Sequence, residues 1–542
     1  LKLKKYSIFA VLLLLIFSIL SACNSESTGK EEEKGEDGEA KTANFNEEGF
    51  PIVNDKIKLT FVAPSDAAPD WNDILVYNKY EEMTNMDIEW EMISKDGLKE
   101  KTNLMLAGGD YPDAFHSVGL STQDLITYGG QGVLIPLNDL IDKYAPNLKK
   151  ILDENPDIKR GITMPDGNIY SFPRIFDPEF SSVMAGWKLW INEDFLKALD
   201  MEEPTTLDEF YEYLKAAKND DPNGNGKADE IGLSASGDSN IINLFKGSFG
   251  LGNRGTAHPY VDMDPEKDEL RFIPIDDGYK ETLQYLNKLY SEGLIIEDLY
   301  TVKSEQTNAR GTDGLFAATL TTSPESGYGR EEYIGAQTLE GPHGDKLYSN
   351  YRAPLVHTGA FAITDKNQYP EETVRWLDYF YGDEGSKLYF MGVEGETYVE
   401  NEDGSVEYSD LINNNPDGLS YVEAISKYMT WRGVTYPGIV KEEYFKGSEG
   451  LESSKAAAEK FVNDRPEEIW PPFNYTNEES EIMSSVGTDI EDYVTESQAK
   501  FITGKTSFDE WDKYVETVKK VGLDQYMEIY QNAYDRYLEQ AQ

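Results

Sequence analysis

Apolar and polar residues alternate with period two along Ile57-Lys58-Leu59-Thr60-Phe61-Val62 and again along Ile88-Glu89-Trp90-Glu91-Met92. Each run predicts a half-buried strand. Pro64 to Asp70 reads as a loop, Trp71 to Met83 as a helix, and Leu98 to Leu106 as a second helix closed by Gly108-Gly109. Strand, helix, strand, helix in this order points to a βαβ unit and a parallel sheet. Further on, Thr206-Leu207-Asp208-Glu209 is a capping box, and Leu207, Phe210, Tyr211, Leu214 and Ala217 recur at helical spacing behind it. Pro370 opens another helix that carries Val374, Leu377, Tyr381 and Leu388, with a break expected at Gly382. Ser507-Phe508-Asp509-Glu510 reads as one more capping box, opening a helical C-terminus with Trp511, Tyr514, Val515 and Val518. No fixed-period repeat is visible. The fold class that follows is α/β with a helix-rich C-terminal part.

The N-terminus has a different pattern. Lys2, Lys4 and Lys5 precede an apolar run from Ile8 to Leu20, interrupted only by Ser18. This reads as a secretory signal peptide over residues 1–22, too short in its apolar part to span a bilayer as a stable helix. Leu20-Ser21-Ala22-Cys23 resembles the bacterial lipobox, which implies cleavage before Cys23 and lipidation of its thiol. Cys23 is the only cysteine in the chain. No disulfide can therefore brace the folded part, and stability must come from burial. Residues 23–50 are nearly all polar and read as a disordered acidic tether. The folded part is then expected at the extracellular face of the cytoplasmic membrane, held by lipid.

Charge narrows the partners. The chain has 100 acidic and 50 basic residues, a formal charge of −50. That excludes nucleic acid as an expected partner, because phosphate backbones are bound through Lys and Arg. Aromatic residues make up 12%, with 35 tyrosines and 8 tryptophans. Most belong to the core by default, yet such residues also suit flat, amphipathic ligands.

One stretch has metal-ligand spacing. Asp221-Pro222-Asn223-Gly224-Asn225-Gly226-Lys227-Ala228-Asp229-Glu230 puts oxygen side chains at alternate positions and a glycine at the sixth, as in the opening of an EF-hand calcium loop. The backbone carbonyl of Lys227 fits the seventh position. Gly232 stands where that pattern wants glutamate, so Asp229 and Glu230 must supply the remaining oxygens. A structural Ca2+ follows, not a switch. The alternative is a metal-free Asn-Gly turn. Catalytic motifs are missing: the four histidines show no metal spacing, and neither a nucleophile elbow nor a phosphate loop occurs.

These features, with Ala107-Gly108-Gly109-Asp110-Tyr111-Pro112-Asp113, Met164-Pro165-Asp166-Gly167-Asn168-Ile169-Tyr170, Trp190-Ile191-Asn192-Glu193-Asp194-Phe195-Leu196 and Gly392-Val393-Glu394-Gly395-Glu396-Thr397-Tyr398, resemble one family in their order. The chain is similar to the lipoprotein solute-binding proteins of ABC importers, in the maltose-binding-protein superfamily. The likeness is greatest to the alginate-oligosaccharide-binding and LplA-type group of Gram-positive bacteria. The resemblance implies a two-lobed, type II periplasmic-binding-protein-like fold with discontinuous lobes joined by a hinge. An N-lobe would take 51–175 plus 320–388, and a C-lobe 176–319 plus 389–542. Crossings would fall near Phe172 to Asp177, Leu315 to Ser323 and Gly382 to Gly395. It also implies an oligosaccharide in the cleft, delivery to the transmembrane subunits of an ABC permease, a monomer, and calcium on Asp221, Asn223, Asn225, Lys227, Asp229 and Glu230. Candidate ligand-binding residues are Trp71, Asp113, Trp187, Trp190, Tyr428, Trp431 and Arg432, with Trp431 foremost. Two other readings stay open from the residues alone: a lipid-anchored polysaccharide-degrading enzyme and a peptide-binding lipoprotein. Product formation separates the first, and competition between sugars and peptides the second.

Overall fold

The computed structural model describes residues 44–65, 70–235, 237, 239–429 and 436–540. The chain divides into a short N-terminal unit, Leu1–Asn46, and a body, Glu47–Gln542. Cys23, the signal segment and most of the tether lie outside the described residues.

The alternating run at the start of the body forms strand β1 (Ile57–Ser65), which pairs in parallel with β2 (Met86–Ser94), Ile57 opposite Met86 through Ser65 opposite Ser94. Between them Trp71–Asp73 makes a single 3-10 turn, and a helix runs over Leu75–Thr84. The one helix expected from Trp71 is split because Ile74 is extended, with ψ 144°. The next helix, Lys95–Gly108, ends on Gly109 in the left-handed region that glycine tolerates.

β1 and β2 belong to a six-stranded sheet with β3 (Ala114–Leu120), β4 (Phe172–Phe176), β11 (Leu355–Ile363) and β14 (Gly438–Val440), in the order β14-β4-β11-β3-β1-β2. Only β11 runs against the others. Both faces are covered. On one face Phe61 meets Phe361, Trp90 and Trp376 edge-on at 5.4–5.7 Å. On the other, Val62, Phe115 and Ala362 pack with Leu125, Leu134 and Tyr170. Burial on both sides is what parallel strands require.

A second sheet has the order β10-β5-β9-β6, from β5 (Lys188–Asn192), β6 (Ile231–Ser234), β9 (Phe316–Thr321) and β10 (Tyr333–Gly335), and two separate ribbons pair β7 (Val261–Asp264) with β8 (Glu269–Phe272) and β12 (Tyr398–Glu400) with β13 (Val406–Tyr408). The capping box forms as expected: Thr206 Oγ1 accepts from Glu209 N, and Glu209 Oε2 accepts from Thr206 N. It starts helix Leu207–Asn219, which buries Phe210, Tyr213 and Leu214 in a large core shared with the C-terminal helices Thr488–Ile502, Trp511–Val521 and Leu523–Glu539. Gly382 breaks the helix begun at Pro370, with ψ 170°.

Two pairings depart from the expected boundaries. β9 is flanked by β5 and β6 and is buried from Phe316 to Leu320, so the chain is still in the second sheet at Leu315 to Ser323. It re-enters the first sheet at Leu355. Conversely, β14 lies in the first sheet beside β4, although it falls within the span expected for the C-lobe.

Candidate functional site

The chain direction fixes where the two sheets meet. β4 ends at Phe176, and the segment 177–187 leads straight to Lys188, the first residue of β5. Lys188 pairs with Thr321 at the carboxyl end of β9. The carboxyl ends of β1, β3, β4 and β14 therefore point toward the same crossing as those of β6 and β9. In open α/β sheets, ligands bind outside the carboxyl ends of the strands. A second segment, 336–354, returns across the same place. Asn350 Nδ2 donates to Trp187 O at 2.7 Å, and Phe176 N donates to Pro354 O at 2.9 Å.

The predicted ligand residues divide by place. Trp187 lies on the first crossing and is partly buried. Trp190, two residues on, is 1% exposed, and its Nε1 donates to Thr321 O at 3.0 Å. Trp71 follows the carboxyl end of β1 but is 6% exposed, with its ring 5.0 Å from Trp90 and 5.4 Å from His116. Asp113 stands at the amino end of β3, where Oδ2 accepts from Thr60 N at 2.8 Å and burial raises its pKa. Tyr428 ends helix Tyr421–Tyr428, with Lys427 Nζ 5.4 Å from its ring centre. Trp431 and Arg432 lie outside the described residues.

The crossing also contains residues that the sequence reading missed. Arg174 sits in β4, one residue before its penultimate position, paired with His357 of β11. Arg352 lies on the second crossing, and its guanidinium fills the space that a β-carbon on Gly186 would take. Lys188 is fully buried, and its Nζ donates to Gly186 O at 3.1 Å. Burial, with Arg352 nearby, pulls the Lys188 pKa down to about 8, against the raising effect of Glu449. Burial also lowers Arg174 and Arg352. The available signal was an arginine inside the otherwise apolar stretch Phe172-Pro173-Arg174-Ile175-Phe176.

The acidic loop has its own geometry. Asp221 has φ 48°, and Gly224 and Gly226 are also left-handed, which curls the chain back on itself. Asp221 Oδ2 accepts from Gly226 N at 2.9 Å, Asn223 Oδ1 from Asn225 N at 2.9 Å, and Asn225 Oδ1 from Lys227 N at 2.8 Å. Asp229 Oδ1 accepts from Asn225 Nδ2 at 3.0 Å. Glu230 is 7% exposed, and neither carboxylate oxygen has a hydrogen-bond partner among the described residues. A buried, unpaired carboxylate is costly. It fits a hard cation, for which Asp221, Asn223, Asn225 and Asp229 offer more oxygens. Among the described residues no three His, Cys, Asp or Glu side chains meet as a metal-holding group. The donors here include two asparagine amides, whose rotation would present oxygen.

Residues 65–387 match the bacterial extracellular solute-binding protein family. The fructooligosaccharide ABC transporter substrate-binding protein FusA of Streptococcus pneumoniae is 32% identical over 557 aligned residues, 99% of this chain and 99% of that protein. The solved structure of FusA with kestose is 30% identical, covers 89% of this chain and 100% of its own, and superposes with a TM-score of 0.71. A FusA EF-hand mutant with fructo-nystose superposes with a TM-score of 0.70 at 29% identity. The two-lobed architecture of these relatives is the frame on which the crossing described above is built, and the chain belongs to the bacterial extracellular solute-binding protein family.

Proposed function

We propose that this protein is the substrate-binding component of an ABC importer, which captures an oligosaccharide between its two lobes and passes it unaltered to the transmembrane subunits. The end-to-end 32% identity to FusA carries this reading, because it spans both sheets and both crossings. Closure supplies the mechanism. A sugar that contacts both lobes binds the closed state better and so shifts the population toward it. Aromatic rings take the apolar sugar faces and polar side chains the hydroxyls. Tyr428, Trp431, Arg432 and Trp187 are the side chains we assign to that surface. The closed packing of Trp71 and Trp190 and the strand-bound Asp113 support wall and backbone roles for those three.

Two finer parts belong to the same reading. Cys23 is lipidated and tethers a monomer at the extracellular face of the membrane. Ca2+ sits in the acidic loop, held by Asp221, Asn223, Asn225, the Lys227 carbonyl, Asp229 and Glu230. When bound it neutralises the loop's carboxylates, and those residues fix the turn that feeds helix Leu207–Asn219 into β6.

A thermal-shift screen of the purified protein against neutral and acidic oligosaccharides and peptides tests the function, with each added compound analysed afterwards. Stabilisation by an oligosaccharide that is recovered intact is expected. Stabilisation by peptides alone, or cleavage of a glycan, contradicts it.

A further inference from the structure

A cavity of about 780 Å³ opens beside the carboxyl ends of β4 and β14. It is lined by Asp177 and Phe180, which follow β4, and by Lys441 and Tyr444, which follow β14. The tip of the ribbon β12–β13, Asp403 to Val406, lines it as well, as does Lys455 of the helix Glu452–Glu459. Ala457 of that helix packs with Trp190 and Tyr333 of the second sheet. The cavity therefore collects residues attached to both sheets. Its volume suits a small-molecule site, and its place is where open α/β sheets bind ligands. Lysines and carboxylates are interleaved along its lining, and the rings of Phe180, Tyr444 and Phe445 are buried behind them. Donors beside acceptors suit hydroxyl groups, which do both.

The ribbon is anchored at its base. Tyr398 and Tyr408 pair and are buried, and Tyr408 OH donates to Phe390 O at 2.7 Å. The tip is braced by its own bonds: Asn401 N donates to Ser405 O at 2.8 Å, and Asp403 Oδ1 accepts from Ser405 N at 3.0 Å. Gly395, beside the base, has φ 75° and open space around its α-carbon, so the backbone can turn there. Glu400 of the ribbon lies 3.6 Å from Lys387, which Glu384 shares at 3.7 Å.

Two exposed charges at this cavity have no ion-pair partner among the described residues, Glu407 on the ribbon and Lys446 after β14. Lys446 Nζ donates to Glu443 O at 3.0 Å. Desolvation and then the neighbouring Lys455 lower the Lys446 pKa, while Glu407 opposes them, so the two unpaired groups already feel each other's charge. Lys455 itself is paired with Glu442 at 3.6 Å.

We propose that the ribbon β12–β13 is a lid, drawn by Glu407 toward Lys446, which closes over one end of a bound neutral oligosaccharide and slows its release. This rests on the solute-binding reading and adds a gate to it.

Calorimetry of the full folded protein with kestose, maltotriose, cellotriose and trigalacturonate identifies a bound sugar, and stopped-flow release of that sugar tests the lid. A neutral sugar has no charge for salt to screen, so salt acts only through the protein's own charges. Release should quicken about threefold when NaCl rises from about 0.05 M to about 0.5 M. Lys446→Glu should quicken it by about threefold or more at low salt, and adding Glu407→Lys should bring the rate back to within about twofold of the parent. A merely structural lysine would not be rescued by that exchange. The salt arm uses the unmodified protein, so it stands even if a variant misfolds. Release that neither salt nor Lys446→Glu moves overturns the lid while the solute-binding reading survives. A double variant as fast as Lys446→Glu alone does the same. Binding of trigalacturonate with no binding of the neutral sugars also overturns the proposal and leaves that reading standing. If no oligosaccharide binds at all, both fall.

Discussion

The guanidinium of Arg352 occupies the position that a β-carbon on Gly186 would take, so the two crossings are keyed to each other through one arginine and one glycine. Gly186 has φ 58° and ψ −114°, a conformation that residues with a side chain rarely adopt. Gly186→Ala should therefore both strain the backbone and dislodge Arg352. The expected cost is about 1–3 kcal/mol. Urea unfolding checks the stability, and calorimetry should show weakened ligand binding in the folded variant. Unchanged values for both would contradict the keyed crossing.

Glu230 gives a prediction whose sign changes with metal. Without calcium its buried, unpaired carboxylate opposes folding, so Glu230→Gln should raise the melting temperature in chelator. With saturating calcium the same change removes a ligand and should lower it. Each effect is expected to be about 1–3 kcal/mol. Thermal melts of both proteins, with and without chelator, give the comparison. Parallel shifts in the two conditions would argue against a cation at this loop.

Acid should weaken the fold through two buried histidines. Burial lowers His116 to about 3 and His258 to about 4, from an ordinary value of 6.5. The unfolded chain therefore takes up these protons first as pH falls below 6.5. Stability is full above that point and is lost progressively down to about pH 3–4. At pH 5 each histidine accounts for about 2 kcal/mol of lost stability. Asp378 acts in the opposite sense: burial raises it to about 6, so it returns about 1 kcal/mol at pH 5. Urea unfolding at pH 7 and pH 5 should show a smaller drop for His116→Gln than for the parent. An equal drop would remove His116 from this account.

The tryptophans should separate into packing and binding roles. Trp190→Ala deletes a fully buried ring with a satisfied N–H, and should cost about 3–5 kcal/mol. Trp431→Ala should leave the melting temperature close to that of the parent and lower sugar affinity by about tenfold. Melting curves and calorimetry on both variants test the contrast. A large stability loss for Trp431→Ala would place it in the core.

Much of this was readable from the chain, for physical reasons that differ by element. β1 was legible because Ile57, Leu59 and Phe61 alternate with polar residues. The helix after Thr206 was legible because the cap and the apolar stripe agree. Its counterpart at Ser507 was only half legible: the serine does cap, but onto Asp509 N, starting a 3-10 turn before the helix proper. β14 was invisible, since Gly438-Ile439-Val440 is too short for a period and pairs with a strand far away in sequence. The crossing expected at Leu315 to Ser323 was misplaced because it came from the resemblance and not from any pattern in that stretch, which forms β9 between β5 and β6. The cation cluster was hidden as β14 was. Arg174, Lys188 and Arg352 are scattered along the chain and meet only where it crosses between sheets.

Calorimetric titration of the purified protein with an oligosaccharide series, followed by chromatography of the recovered sugar, tests the central claim most directly. A capture protein should release saturable heat at one sugar per chain and return that sugar uncleaved. Shortened products, or no heat with any oligosaccharide in the series, would contradict it.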